Sequence, residues 1–178
     1  MARGSTWTNS DGLQVPFGTH TADNNVPAVT AADGGVKVMV VEIQGTLLPD
    51  TYAATDTNPA APTIRRGSSI LSAKFMVTEA FVGATGVLDI GLWSKGLATE
   101  VVDDADGIDA AIAVTAIDAV GDVVQCDGAL VAGVTAVGAT ANGDCVIAPS
   151  YSTAAFTAGK GLLIVQYVEP MFSADVAA

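Results

Sequence analysis

The sequence predicts an all-β domain built as an antiparallel β-sandwich. Apolar and polar residues alternate with a period of two over residues 71–81 and again over residues 88–92, as in strands that bury one face. Glycines recur in the second half at the spacing that separates short strands, at positions 121, 128, 133, 138 and 143. Half of the 178 residues are apolar but only 6% are aromatic, which favours a thin interior of small side chains. The length suits one such domain.

Residues 1–34 are predicted to form an extended N-terminal arm, and residues 35–178 the β-sandwich domain. The first segment is rich in Thr, Asn, Asp and Gly, and Pro16 and Pro27 exclude a long regular element. Its isolated apolar side chains are predicted to contact another protein: Trp7, Leu13, Val15 and Phe17. The alternative is a frayed chain end. The first residues lack the apolar stretch of a secretory signal.

Residues 64–95 are predicted to form the central antiparallel hairpin of the sandwich. In its first strand one face carries Leu71, Ala73, Phe75, Val77 and Phe81, and in its second strand one face carries Leu88, Ile90 and Leu92. Gly83 and Gly86 lie between the two strands and allow the positive φ angles of a short connection.

The remaining elements are predicted from local pattern. Residues 36–44 form a strand whose alternation slips after Val40, which indicates a bulge or cover on both faces. The long loop over residues 46–63 is predicted to cross between sheets. Asp106 is predicted to cap a short helix over residues 108–117, the only one in the chain. Short strands are predicted around residues 123–124, 129–134 and 145–148, and residues 161–169 form a last strand covered on both sides.

The aspartates at 103, 104, 106 and 109 invite comparison with a calcium-binding loop. With Gly107 at the sixth position of such a loop, Val102 stands at the first and Ala113 at the twelfth, where carboxylates are required. The preferred prediction is a solvated acidic loop that caps the helix. A looser calcium site made by Asp103, Asp104, Asp106 and Asp109 is the alternative.

Three other features were considered as possible binding or catalytic sites, and each has a simpler structural interpretation. Residues 158–161 lack the first glycine and the final hydroxyl of a phosphate-binding loop, so they are predicted to turn into the last strand with Lys160 in solvent. His20 is the only histidine and is predicted to lie on a surface loop. Cys126 and Cys145 are predicted to be buried apolar residues, with a single disulfide as the alternative. The sequence therefore predicts no catalytic residue, no metal and no cofactor, and a chain that is not an enzyme.

Charge and hydropathy constrain the partners. The chain has 19 acidic and 7 basic residues, a net charge of −12 that repels phosphate backbones, so nucleic acid is not expected as a partner. No run of about 20 apolar residues exists, so no membrane partner is expected either. The mean hydropathy of +0.47 predicts apolar surface that contacts other subunits, and the alternative is an alanine-rich core.

Several segments together resemble small structural proteins of tailed bacteriophages, of the capsid cement or decoration kind. They are TWTNSDGLQVPFGT, SILSAKFMVTEAF, VLDIGLWSKG, the stretch from DADGID to CDGALV, and TAGKGLLIVQYVEP. The resemblance implies a jelly-roll-like sandwich, often trimeric, that binds the major capsid protein. It also implies a location on the outer capsid surface of the virion, where capsomers meet, after synthesis in the host cytoplasm. No site residue is carried over.

Two other functions are compatible with a β-rich chain. One is a head-fibre or tail-associated module that binds the host, for which exposed aromatic clusters are expected. The other is an enzyme such as a carbohydrate hydrolase, which has the least support because such clefts are rich in aromatic residues.

Overall fold

A computed structural model describes residues 36–50, 63–94, 102–141 and 143–169, together with the backbone of two short strands, β1 (Ser5–Thr8) and β2 (Gln14–Phe17). The chain divides into two compact units, Met1–Gly35 and Val36–Ala178. In the first unit β1 and β2 pair antiparallel. The second unit contains two four-stranded sheets.

The eight strands of the second unit follow one another along the chain. They are β3 (Lys37–Gln44), β4 (Thr63–Ile64), β5 (Ser69–Val82), β6 (Val87–Ser94), β7 (Val102–Ala113), β8 (Val123–Gln125), β9 (Cys145–Ser152) and β10 (Ala158–Val168). The first sheet has the order β3-β10-β5-β8 and the second β4-β9-β6-β7, with antiparallel pairing throughout. Two four-stranded sheets between which the chain repeatedly crosses are a jelly-roll arrangement. The predicted all-β sandwich is therefore confirmed.

The predicted central hairpin is wrong, although both of its strands exist. β5 belongs to the first sheet and β6 to the second, so residues 83–86 carry the chain across the sandwich. Each strand pairs with other partners: β5 with β10 and β8, and β6 with β9 and β7. The two apolar faces can therefore meet in the core instead of lying side by side. The crossing predicted for the loop over residues 46–63 is confirmed, because β3 and β4 lie in different sheets.

The predicted helix over residues 108–117 is also wrong. Strand β7 continues to Ala113 and is followed by a three-residue 3-10 turn, Val114–Ala116. Asp106 lies within β7, and the N-cap of the turn that follows is Ala113. The helix preference of alanine is below 1 kcal/mol per residue, whereas pairing with β6 satisfies the backbone and buries Ile108 and Ile112. The described segments hold no helix longer than three residues, and none that could span a membrane.

The core lies between the two sheets and contains most of the predicted face of β5. Ala73, Phe75, Val77 and Phe81 are buried, but Leu71 is 48% exposed. The pairing of β5 with β10 shifts at this point, since Gln166 faces Ser72 while Tyr167 faces Ile70. Leu71 is thus the extra residue of a bulge, and Ile70 takes its place in the core.

Two glycines allow close contacts that a side chain would prevent, one with the backbone of β7 and one with the ring of Phe81. A Cβ on Gly91 of β6 would lie 2.2 Å from the carbonyl oxygen of Ala105 in the bulged strand β7. Gly159 has a φ of +127°, and a Cβ there would meet the ring of Phe81. Gly159 and Lys160 therefore lie inside β10 at a bulge, not in the predicted turn before it.

Three smaller predictions have different outcomes. Strands at β8 and β9 are confirmed, whereas residues 129–134 form a turn that buries Leu130. β3 pairs with β10 in unbroken register, so the slip after Val40 is not a bulge. β10 buries Leu163 and Val165 as expected, but Leu162 and Ile164 on its other side are only half-buried.

Candidate interaction surface

The first sheet presents an apolar outer surface that we call the valine face. It consists of Val36, Val38 and Val40 at the edge of the sheet and Leu162 and Ile164 on the neighbouring strand β10. The three valines are 51%, 57% and 55% exposed. Met39 and Ile43 on the opposite side of β3 are buried in the core. β3 therefore has two apolar sides, and within the described residues only one of them is covered.

The register of the first sheet makes this surface continuous. Val40 lies opposite Ile164, which lies opposite Lys74 of β5. Glu42 lies opposite Leu162, which lies opposite Met76. Val38 lies opposite the polar Gln166. The apolar residues thus occupy neighbouring rows, bordered by one cation, one carboxylate and one amide.

The predicted contact residues of the first segment fall mostly on the ribbon formed by β1 and β2. Trp7 and Val15 are partners in its register, and Phe17 is the partner of Ser5. Leu13 lies outside the described residues. The backbone of the ribbon brings Trp7 and Val15 to the same position across two strands, and their role in contact stays a prediction.

The acidic strand β7 uses its buried carboxylates for packing. Asp103 is buried and accepts three backbone hydrogen bonds, from Gly138 at 2.7 Å, Thr140 at 2.8 Å and Ala141 at 2.9 Å. Backbone N–H groups that are buried need an acceptor, and the carboxyl oxygens of Asp103 supply it. The carboxylate ties the turn at residues 138–141 to the second sheet. The prediction of a solvated acidic loop is therefore wrong for Asp103.

The four aspartates of the looser calcium alternative do not converge. Asp103 is engaged with the 138–141 turn, and Asp109 is buried beside Cys126. Among the described residues no group of three or more His, Cys, Asp or Glu side chains could hold a metal ion. Burial raises the pKa of Asp104, and a hydrogen bond with Asp106 raises it further.

Both cysteines are free and buried, as predicted for small apolar residues. Burial raises the pKa of Cys126 to about 12, with the negative charge of Asp109 as the next cause. Burial and the charge of Asp103 likewise raise the pKa of Cys145 to about 12. At neutral pH both thiols are protonated, so neither is an active nucleophile.

A shallow depression of about 420 Å³ lies over the second sheet. Its lining contains an aromatic residue, carboxylates and hydroxyls: Asp50, Asp89, Trp93, Val102, Ala105, Asp106, Ala148, Ser150, Tyr151 and Ser152. Asp89 also accepts a hydrogen bond of 2.8 Å from the backbone of Ala111. Indole rings and carboxylates are groups that bind sugar rings and hydroxyls.

The chain matches no protein-family model and no curated protein. It is similar to a solved structure described as "Capsid of Ralstonia phage GP4", at 18% sequence identity over 84% of this chain and 94% of that chain, with a TM-score of 0.45. A likeness at this identity and TM-score carries no argument about function.

Sequence reasoning missed the valine face, although its signal was present. Val36, Val38 and Val40 occupy alternate positions, as do Met39, Val41 and Ile43. Two interleaved apolar sets indicate two apolar sides, and either a bulge or cover on both faces was expected. Pattern alone does not distinguish cover by the same chain from cover by a partner.

Proposed function

We propose that this chain is a non-enzymatic structural protein of a phage virion, a capsid cement or decoration protein. It binds the outer surface of the phage head between capsomers and stabilises the shell. In this proposal the chain acts as a homotrimer, its partner is the major capsid protein, and the first 34 residues form the arm that contacts that partner.

The observation that carries the proposal is the valine face on a jelly roll. A sheet surface with three valines at least half exposed is unusual for a protein that works alone, because contiguous apolar surface marks contact with other proteins. Asp103 and Asp109 are buried, and Asp103 accepts hydrogen bonds from the backbone of the 138–141 turn. The resemblance of five sequence segments to cement proteins points in the same direction.

The arm supplies the second contact that a cement protein needs. Trp7, Val15 and Phe17 lie on a ribbon of two four-residue strands, which can join another protein through its edge as well as its side chains. Many weak contacts repeated by the symmetry of a shell add up to firm attachment.

Decoration of empty phage heads tests the proposal. The full chain is mixed with heads stripped of their decoration protein, and occupancy is measured by electron microscopy. The full chain is expected to occupy regular positions on the outer surface. A chain without residues 1–30 is expected to stay folded by circular dichroism and to leave the heads bare.

Point variants sharpen the same experiment. The double variant Trp7→Ala/Phe17→Ala is expected to reduce occupancy at least tenfold, because aromatic anchors dominate protein contacts. Leu47→Ala, which removes an exposed apolar side chain of the domain, is the matched control and is expected to bind normally. Full occupancy by the arm-deleted chain contradicts the role of the arm, and bare heads with the full chain contradict the function.

The depression at Trp93 favours a second candidate, a head-fibre or tail-associated module that binds the host surface. Its carboxylates at Asp89 and Asp106 suit sugar hydroxyls. Binding to a panel of bacterial surface polysaccharides, with Trp93→Ala as the variant and Val134→Ala as the control, tests this candidate. Absence of binding by the full chain contradicts it.

A further inference from the structure

The valine face lies at an edge that is open to pairing. Within the described part of the chain, β3 pairs with β10 and with no second strand. Natural edge strands are usually protected by bulges, prolines or outward lysines. β3 has eight residues in regular register, and its outward side chains include Val38 and Val40. An edge of this kind is suited to contact with another folded chain.

Charge is distributed unequally between the two sheets. The strands of the first sheet carry three cations and two carboxylates, a net charge of +1: Lys37, Lys74, Lys160, Glu42 and Glu79. The strands of the second sheet carry five aspartates and no cation, a net charge of −5: Asp89, Asp103, Asp104, Asp106 and Asp109. Some of the charge in the first sheet is neutralised locally, since Lys160 lies 3.5 Å from Glu79 and Lys37 lies 2.7 Å from Glu169.

The difference in charge between the two sheets favours a second copy of this chain as the partner of the valine face. Two copies of a chain with a net charge of −12 repel each other at most orientations. Among the strands, those of the first sheet are the less acidic, so two first sheets repel each other less than two second sheets do. Charge beyond about 8 Å contributes little because it is screened at physiological salt. Lys74 and Glu42 border the same apolar rows, so the face offers both signs of charge to an identical neighbour.

We infer that the valine face is the surface through which a second copy of this chain packs. Val38 and Val40 of one copy are buried at the contact, together with the half-exposed Leu162 and Ile164 beside them. The proposed function includes self-association, and the inference rests on the proposed function in that it gives this self-association a location. The inference is tested in solution without any phage head, so the inference and the proposed function can fail separately.

Sedimentation of the full chain, whose mass is 17.8 kDa, measures the association directly. The full chain is expected to sediment at a multiple of that mass. Val38→Asp/Val40→Asp is expected to sediment as a single chain, because each added carboxylate would be buried without a partner. Val120→Asp/Val134→Asp places the same charges on exposed turn residues away from β3 and is expected to keep the mass of the full chain.

A second variant and a second readout protect the test against a folding defect. Val38→Ser/Val40→Ser adds no charge and is expected to weaken association at least tenfold, with an unchanged melting profile. A nitroxide on Lys74→Cys, an exposed position at the border of the valine face, is expected to show spin broadening between copies, and one on Val134→Cys to show none. The buried native thiols, with pKa values of about 12, leave the introduced cysteine as the reactive one.

Three results would overturn the inference. They are a full chain that sediments at 17.8 kDa, a folded valine-face variant with the mass of the full chain, and a Lys74→Cys label without broadening. A valine-face variant that keeps the mass of the full chain but no longer decorates heads would assign the face to the capsid. A single-chain full-length protein that still decorates heads would overturn this inference and leave the proposed function intact.

Discussion

The carboxylate of Asp103 accepts a hydrogen bond of 2.7 Å from the backbone nitrogen of Gly138, 35 residues further along the chain. The same carboxylate also binds the nitrogens of Thr140 and Ala141. A single buried side chain thereby connects β7, at the edge of the second sheet, to a turn without regular structure of its own.

Removal of this carboxylate is expected to destabilise the domain. In Asp103→Ala three backbone donors lose their acceptor, at about 1 kcal/mol or more each, so unfolding by urea should show a loss of about 3 kcal/mol. Asp103→Asn keeps one acceptor oxygen and should lose less. Asp144→Ala, which removes one exposed acceptor of a hydrogen bond from the backbone nitrogen of Arg66, is the control with a loss of about 1 kcal/mol. Equal losses for Asp103→Ala and Asp144→Ala would contradict the role given to Asp103.

Gly91 is expected to tolerate no side chain. A Cβ there would lie 2.2 Å from the backbone oxygen of Ala105, so Gly91→Ala must displace β7. Calorimetry should show a loss of about 3 kcal/mol or more, typical of severe overpacking. Gly83→Ala is the matched control, because its Cβ would have its nearest contact at 3.4 Å, with the ring of Phe156. A change within about 0.5 kcal/mol is expected for this control. If Gly91→Ala and Gly83→Ala have the same melting temperature, the close approach of β7 to β6 is refuted.

The two native thiols are expected to resist alkylation in the folded protein. A rise of the pKa from 9.0 to about 12 lowers the thiolate fraction at pH 8 about a thousandfold. Iodoacetamide followed by mass spectrometry should therefore label neither Cys126 nor Cys145 within a time that labels both in urea. Rapid labelling of either thiol in the folded chain would contradict its burial.

Mild acid is expected to stabilise the fold through Asp104. Burial and the hydrogen bond with Asp106 raise the pKa of Asp104 above its ordinary value of 3.8. The folded state therefore binds this proton more tightly than the unfolded chain. The stability that results is complete below about pH 3.8 and is lost as pH rises through the raised pKa.

Melting temperatures between pH 7 and pH 4 measure this effect. Asp104→Asn, which cannot ionise, should show a smaller gain on acidification than the full chain. Asp118→Asn, at an exposed position, serves as the control and should keep the gain of the full chain. A gain unaltered by Asp104→Asn would assign the pH dependence to other carboxylates.

The local sequence pattern was sufficient to predict which residues form strands, but not which strands pair with each other. The alternation at Phe75 and Val77 and at Leu88 and Ile90 identified both core-facing strands, because a strand with one buried face has a period of two whichever neighbour it pairs with. The same argument does not say whether two such strands lie side by side or face to face. Gly83 and Gly86 permit either arrangement, so the local pattern does not distinguish a hairpin from a connection between the two sheets.

The error at residues 108–117 has a different cause. Alanine favours a helix by little, and the residues that decide the matter are remote in sequence: Leu88 and Ile90 pair with Ile112 and Asp109. The buried role of Asp103 was equally invisible, because its three donors lie 35 to 38 residues away. The valine face was encoded in alternate positions, but which side of β3 is covered depends on the second sheet.

The amino-acid sequence by itself determined that this protein is a small, acidic, all-β chain with two core-facing strands, because composition and period are local properties. The tertiary structure alone decided that these strands belong to opposite sheets, that an aspartate-rich segment is a bulged edge strand, and that three valines face outward. Those features follow from contacts between distant residues, and the free energy of such contacts exceeds any preference of a short segment.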